Sequence, residues 1–427
     1  MKSWKITASA KNLDAIINLP GSKSLSNRAL ILQKIISKIN AEPIVIQNLS
    51  DADDTIIMQE ALDKTKGIID IKNAGTCMRF LTAYFAATPG SEIILNCDAR
   101  MKERPIAGLV NVLNQLGANI VYLEKENFPP IKITGSKLTG GEISMEAHET
   151  SQFTSAIMMV APLMVNPLII NLNNHISSFD YIEMTHRMMQ QFGFQISIQN
   201  EPNYQIIINN TFSQKSSISP LSYNVEADWS SAAFIYEAAA LSETANIFLP
   251  KLSKHSKQGD CKIADLMLNL GVSTTEQEDG ILIEKNNDPL SIAPKEINLI
   301  HNPDLAPPLI SAAAALGLPY MFSGLASLKV KESNRLLNLK QVLRNLGYTI
   351  EEPESDCLKT AEHIKSDKNT EPILIETEND HRMVMCFALL ALKKENILLS
   401  EVGSVEKSFP GFWEEVRKLG IVAEECC

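Results

Sequence analysis

The chain has 427 residues, enough for two or three domains and a large buried core. Hydrophobic residues make up 45% and charged residues 21%, and a formal net charge of −11 argues against a binder of nucleic acid or of anionic membrane. The 7 cysteines form no CxxC pair and no Cys/His metal spacing, which suits unpaired thiols in a reducing compartment.

In chain order, Met1-Lys-Ser-Trp-Lys-Ile leads into no apolar core of the secretion-signal kind, so the expected location is cytoplasmic. Residues 4–19 read as a first strand. Gly21-Ser-Lys-Ser-Leu-Ser-Asn-Arg28 follows, a turn, a hydroxyl-rich helix start and two cations ahead of the apolar run 29–36. Such a segment can wrap a phosphate with N–H, hydroxyl and ammonium donors, though it lacks P-loop spacing; a serine-capped, solvated helix start is the competing reading. After the turn Asn73-Ala-Gly75-Thr76, Arg79 leads into a helix over 80–87. Asp98-Ala-Arg100-Met-Lys102-Glu-Arg104 carries three cations that share one face if the stretch is extended. Residues 106–116 then read as an amphipathic helix started by Pro105.

Thr150-Ser151-Gln152-Phe-Thr154-Ser155 precedes a strongly apolar helix, where hydroxyls can bind phosphate or simply cap. The most apolar stretch, 156–172, contains Pro162, Asn166 and Pro167, so it reads as a buried helix and strand, not a membrane span. Lys331-Glu332-Ser-Asn-Arg335 opens a helix running to Leu346, with Lys331 and Arg335 one turn apart on one face. They repel mildly unless they share an anion, and a surface Lys–Glu–Arg network is the alternative. Glu378-Asn-Asp380-His381-Arg382 joins a strand to an almost wholly apolar helix, and Lys407 precedes Ser408-Phe-Pro410 and a last helix over 411–419.

Cations therefore recur at predicted helix starts, the end whose partial positive charge disfavours them by a few tenths to about 1 kcal/mol each. Bound anions would offset that cost, because exposed N–H groups and the helix dipole form an anion site. The pattern points to strongly anionic small molecules as ligands, with no metal or cofactor.

A second pattern is an amphipathic helix ending in Leu-Gly or Phe-Gly, followed by an alternating strand. It ends at Gly117, Gly193, Gly271, Gly347 and Gly420, at near-constant intervals (193−117 = 76, 271−193 = 78, 347−271 = 76, 420−347 = 73). A sixth phrase, Ala61-Leu-Asp-Lys-Thr-Lys-Gly67, lies only 117−67 = 50 residues before Gly117 and implies a unit that has lost about a hairpin. Six units, three per half, predict two similar α/β domains with chain crossings near residues 19–21 and 225–228. The domains are then 1–19 plus 227–427 and 20–226, and a two-strand crossing permits hinge closure over a ligand.

Several phrases together resemble the 5-enolpyruvylshikimate-3-phosphate synthase family of enolpyruvyl transferases. They are Pro20-Gly-Ser-Lys-Ser-Leu-Ser-Asn-Arg-Ala29, Asn73-Ala-Gly-Thr76, Arg100-Met-Lys-Glu-Arg-Pro-Ile106, Thr150-Ser-Gln-Phe153 and Glu226-Ala-Asp-Trp-Ser-Ser231. Gln258-Gly-Asp260, Val330-Lys-Glu-Ser-Asn-Arg335, Asp380-His-Arg-Met383 and Lys407-Ser-Phe-Pro410 continue in family order. The resemblance implies an inside-out α/β barrel architecture, two domains each of three βαβαββ units. It implies transfer of the carboxyvinyl group of phosphoenolpyruvate to the 5-hydroxyl of 3-phosphoshikimate, by a cytoplasmic monomer. Carried over by position, Lys23, Ser24, Arg28, Thr150, Ser151, Gln152, Ser178, Asp304 and Lys331 would bind 3-phosphoshikimate. Lys23, Gly75, Arg104, Gln152, Arg335, Arg382 and Lys407 would bind phosphoenolpyruvate. Asp304 would accept the hydroxyl proton, Glu332 would give one to the methylene carbon, and Lys23 would serve both substrates.

The chain departs from the family pattern at Lys72, where glycine is usual, at Phe80, where proline is common, and at Ser327, where asparagine often stands. Two alternatives remain. The sister transferase acting on UDP-N-acetylglucosamine carries a cysteine five residues before its loop arginine, where this chain has Ala99, and an asparagine after the first lysine, where it has Ser24. A non-catalytic anion binder would do better without Asp304 and Glu332 facing an anion.

Overall fold

The computed structural model describes residues 2–39, 44–146, 150–173, 178–199, 204–212, 222–285, 295–361 and 372–426. The chain divides into two units. A middle unit comprises Lys23–Val225, and a terminal unit joins Met1–Ser22 to Glu226–Cys427. Both termini thus build one unit, and the middle unit is inserted between them.

The middle unit contains helices α1 (Lys23–Lys38), α2 (Asp53–Leu62), α3 (Gly75–Ala86), α4 (Ala107–Gln115), α5 (Ser151–Val160) and α6 (Phe179–Gln191). The terminal unit contains α7 (Trp229–Leu241), α8 (Ile263–Leu268), α9 (Ala306–Ala315), α10 (Arg335–Asn345), α11 (His381–Leu389) and α12 (Phe412–Arg417). Helices α7, α9 and α11 are buried along their whole lengths, which suits their alanine, leucine and phenylalanine content. A helix apolar all round belongs in a core. The strands instead show one buried face, as in Ile131–Thr134 and Gly141–Glu146. Helices inside and sheets outside make each unit an inside-out α/β barrel.

One rule governs every four-stranded sheet. Two strands run parallel around a helix, and two more add antiparallel one after the other. These two form a hairpin except in the sheet of Ile373–Ile375 and Ile397–Ser400, where they are Ser3–Ala8 and Ile421–Glu425. In the middle unit, Lys66–Asp70 pairs parallel with Glu92–Asn96, which pairs antiparallel with Ile131–Thr134, itself paired with Asn119–Tyr122. The same order recurs in a second sheet there and in three sheets of the terminal unit. The remaining sheet is a parallel pair of Val45–Gln47 with Ser222–Asn224. Among the described residues it has no hairpin, because the strand after α2, Lys66–Asp70, belongs to the next sheet. Gly67 lies inside that strand and caps nothing, unlike Gly117 and Gly347, which follow α4 and α10 at φ of 98° and 89°.

The single strand expected over residues 4–19 is two strands. Ser3–Ala8 completes the sheet that holds Ile397–Ser400 and Ile421–Glu425, and Asn12–Ile16 pairs parallel with Thr244–Pro250. The turn between them is fixed by the Ser9 N–H donating to the Gly420 carbonyl at 2.9 Å. No helix among the described residues is long and apolar enough to cross a membrane.

Candidate active site

In the middle unit, helix starts gather around buried cations. Lys23 is the first residue of α1, and its ammonium lies 3.3 Å from Asp54 in the first turn of α2. Cys77 of α3 donates to the Asp54 carbonyl at 2.9 Å, joining the starts of α2 and α3. Arg28, one turn into α1, joins three helices. Its Nε donates to Thr185 of α6 at 2.7 Å, Nη1 to the Ser24 carbonyl at 2.9 Å, and Nη2 to Ser155 of α5 at 3.3 Å. Phe80 and Tyr181 place their rings 5.2 and 5.9 Å from the guanidinium. Phe80, in the position where the family commonly has proline, therefore covers this arginine. Burial holds the Arg28 pKa down to about 10, with only weak opposition from Tyr181 and Tyr223. Neutral oxygens and rings satisfy its shape but not its charge.

Helix α5 begins with Thr150 as its cap, the hydroxyl accepting from the Gln152 N–H at 3.2 Å. Ser151 is buried beside it, and Gln152 is partly exposed. Ser178, before α6, is buried with a left-handed φ of 55°. A non-glycine residue there is uncommon and marks a backbone held by its surroundings.

The Arg100–Arg104 stretch is not extended; Met101–Glu103 forms a 3-10 turn, so its cations do not share a face. Arg100 pairs with Glu103 at 2.7 Å and Lys102 with Glu124 at 2.6 Å, both on the surface. Arg104 alone turns inward and is 8% exposed. Its guanidinium lies where a side chain on Gly75 would begin: a Cβ there would meet Nη1 at 2.8 Å. Gly75, at the start of α3, is thus the seat of Arg104. Arg79, expected among the anion-facing cations, is inside α3 and donates to the carbonyls of Gly75 and Pro105.

In the terminal unit the cations come with carboxylates. Arg335 opens α10 and is 1% exposed. Its Nε donates to Asp380 at 2.7 Å, Nη1 to Asp304 at 2.9 Å, and Nη2 to Glu332 at 2.7 Å. Asp380 also caps α11, accepting from the Arg382 N–H at 3.0 Å. Asp304, just before α9, takes further ion pairs from Arg382 at 3.3 Å and Lys331 at 3.5 Å. Glu332 offers its other oxygen to Lys407 at 3.4 Å. Lys331, Glu332, Arg335, Arg382 and Lys407 thus meet around Asp304 and Asp380, at the starts of α9, α10 and α11.

Lys331 is not on the α10 face with Arg335. Asn334 caps the helix by accepting from the Leu337 N–H at 3.1 Å, so α10 starts at Arg335 and Lys331 precedes it in extended backbone. The anion the two cations share is Asp304 itself. Of the surface Lys–Glu–Arg network that was the alternative, the Glu332–Arg335 pair forms around a buried Arg335, while Lys331 pairs with Asp304.

Burial alone would raise the Asp304 pKa, but Arg382, Lys331 and Arg335 override it and hold the carboxyl well below the usual range. Burial would lower the Arg335 pKa, and Asp380, Glu332 and Asp304 override that too, raising it. Asp260 moves the other way, pushed up to about 6 by burial and then by the Asp304 charge. Sequence reading gave no role to Asp54, Asp260 or Asp380. Asp53-Asp54 at a helix start reads as ordinary dipole pairing, and only the fold shows that Asp54 meets Lys23.

A family model described as EPSP synthase (3-phosphoshikimate 1-carboxyvinyltransferase) matches residues 62–416. A 3-phosphoshikimate 1-carboxyvinyltransferase of Bacteroides fragilis is 40% identical over 415 residues, covering 97% of each chain. One from Histophilus somni is 33% identical, covering 97% of this chain and 99% of its own. The solved structure of an EPSP synthase from Acinetobacter baumannii matches the fold with a TM-score of 0.75 at 21% identity, over 100% of both chains.

Proposed function

The chain belongs to the EPSP synthase family, and from that premise we propose how its residues divide the reaction. The enzyme transfers the carboxyvinyl group of phosphoenolpyruvate to the 5-hydroxyl of 3-phosphoshikimate and releases phosphate, a step of the shikimate pathway to aromatic amino acids. The same reading has it act as a cytoplasmic monomer.

We assign the phosphate and hydroxyls of 3-phosphoshikimate to Lys23, Ser24, Arg28, Thr150, Ser151, Gln152 and Ser178, with Lys331 and Asp304. Phosphoenolpyruvate falls to Lys23, Gly75, Arg104, Gln152, Arg335, Arg382 and Lys407. Both ligands are multiply charged anions, so holding them at reacting distance requires many cations, and arginine forks suit carboxylate and phosphate. Asp304 is ionised and positioned by three cations, the form a proton acceptor needs. Its low basicity belongs to the state in which those cations serve it alone. Anionic substrates that draw on Arg382, Lys331 and Arg335 leave it a stronger base. Glu332, oriented through one oxygen by Arg335 and through the other by Lys407, is assigned as the acid for the methylene carbon. Negative charge arriving beside it favours the protonated form that donation requires. Lys407 and the arginines then stabilise the departing phosphate.

The observation that carries these roles is the cluster of Asp304 and Glu332 on the shared guanidinium of Arg335. The test is Glu332→Gln. Turnover should fall by roughly 10²–10⁴-fold, the range for removing a general acid, while both substrates bind within a few-fold of wild type. Turnover kept with binding lost would remove the acid role. Phosphate release with UDP-N-acetylglucosamine but not with 3-phosphoshikimate would transfer the chain to the sister reaction.

A further inference from the structure

The terminal unit holds a cavity of about 520 Å³ lined by none of the residues assigned above. Strand alternation puts Trp4 and Ile6 on one face of Ser3–Ala8. Ile6 is fully buried, while Trp4 is only half-buried and lines the cavity. Opposite Ile6 in the sheet stands Ala423, a methyl group where its neighbour on the same face, Ile421, fills the core. That small side chain leaves space beneath Trp4. A second indole, Trp413 of α12, lines the same space and is fixed in orientation. Its N–H donates to the Val402 carbonyl at 3.0 Å, and its ring meets Phe412 edge-on at 5.0 Å between centroids.

The charged groups of the lining have both signs. Arg417 is exposed at the end of α12 and makes no ion pair among the described residues. Lys2, bridged to Glu425 at 2.7 Å, adds a second cation. Glu401 supplies the carboxylate, from a left-handed backbone with φ of 54°. Its Oε2 is pinned by the Asn379 N–H at 2.7 Å and the Thr377 hydroxyl at 3.1 Å.

Two indoles, a guanidinium and an immobilised carboxylate in a small-molecule-sized cavity fit a zwitterion with a flat apolar body. We propose that this cavity binds a free α-amino acid with an aromatic side chain. Its carboxylate would lie on Arg417 with Lys2 in reach, its ammonium on Glu401, and its ring against Trp4 and Trp413.

The same contacts lead to the reaction machinery. Glu401 holds Thr377 and Asn379, immediately before Asp380 and Arg382. Val402, which accepts the Trp413 N–H, opens the 3-10 helix Val402–Lys407 that ends in Lys407. A ligand drawing on Glu401 and Trp413 therefore acts on two segments that carry phosphoenolpyruvate-assigned cations, those of Arg382 and Lys407, and its occupancy shifts the KM for phosphoenolpyruvate more than kcat. This kinetic effect rests on the assignments made under the proposed function; the binding does not.

The experiment is calorimetric titration of the full chain with L-phenylalanine, L-tyrosine and L-tryptophan, and with 3-phenylpropanoate and phenethylamine, each lacking one charge. At least one amino acid should bind saturably, and its loss of either charge should weaken binding about tenfold or more, as expected for a charge-assisted contact. Arg417→Ala and Glu401→Gln should each cost a similar factor, and the KM shift seen with saturating amino acid should vanish in Arg417→Ala. No saturable binding by any of the three, or equal binding by Arg417→Ala, overturns the site. Equal binding of 3-phenylpropanoate overturns the zwitterion assignment, and an unchanged KM with binding intact overturns the coupling.

Discussion

Among the described residues, Arg28 is the most deeply buried arginine of the middle unit and Arg335 that of the terminal unit, and the two are treated in opposite ways. Arg335 sits among three carboxylates, and Arg28 sits among hydroxyls, carbonyls and aromatic rings. Their pKa values move apart accordingly, that of Arg335 up and that of Arg28 down to about 10. A buried charge without a counter-ion is costly, so Arg28 makes sense as a group whose partner is a ligand. A buried charge among three acids is already compensated, so Arg335 makes sense as a group that positions those acids. On the proposed function, the terminal unit would thus carry the proton chemistry and the middle unit would receive a phosphate.

Removing the two arginines should separate these roles most clearly. Arg335→Met leaves Asp304, Glu332 and Asp380 without their common partner and should cost about 3–5 kcal/mol of stability, read by denaturant unfolding. Arg28→Met leaves only neutral acceptors and should cost about 1–3 kcal/mol. Equal losses would break the distinction.

The acids of the terminal unit sharpen it through pH. The folded-state pKa of Asp304 is depressed, so its contribution is present above the ordinary carboxylate value and is lost as pH falls below about 4. Asp260 has the opposite sign. With its pKa raised from 3.8 to about 6, the folded state holds the extra proton in that window, and stability falls as pH rises through it. Asp260→Asn should remove the fall and unfold at a higher denaturant midpoint than wild type at pH 7. A steeper fall in the variant would contradict the assignment.

In the middle unit, Gly75→Ala should push the Arg104 guanidinium from its seat. The KM for phosphoenolpyruvate should rise about tenfold, equivalent to one weakened charge-assisted contact, with thermal stability little changed; an unaltered KM would show that Arg104 has room to spare. The smallest effect belongs to Lys72. Its φ of 50° explains why the family usually has glycine there, and Lys72→Gly should raise stability by up to about 1 kcal/mol.

What could be read from the sequence follows the range of the interactions. The Gly117, Gly193, Gly271, Gly347 and Gly420 caps are local, so the repeat is visible in spacing alone, whereas Gly67, read as a sixth such glycine, lies inside a strand. The Ser3–Ala8 and Asn12–Ile16 strands looked like one because the bond that turns the chain comes from Gly420. The cations at helix starts were legible for the same local reason. Their partners were not, since Asp304, Glu332 and Asp380 reach Arg335 across three helix starts. Lys331 was placed on α10 because periodicity carries no mark of the Asn334 cap that begins the helix four residues later. The inward turn of Arg104, but not of Arg100 or Lys102, depended on a gap left by Gly75.

The division of labour is tested most directly by titrating 3-phosphoshikimate into Arg28→Met and Glu332→Gln side by side. The account predicts that the Arg28 variant loses affinity by about tenfold or more, the scale of a charge-assisted contact, while the Glu332 variant binds like wild type. Wild-type affinity in the Arg28 variant with loss in the Glu332 variant would contradict it.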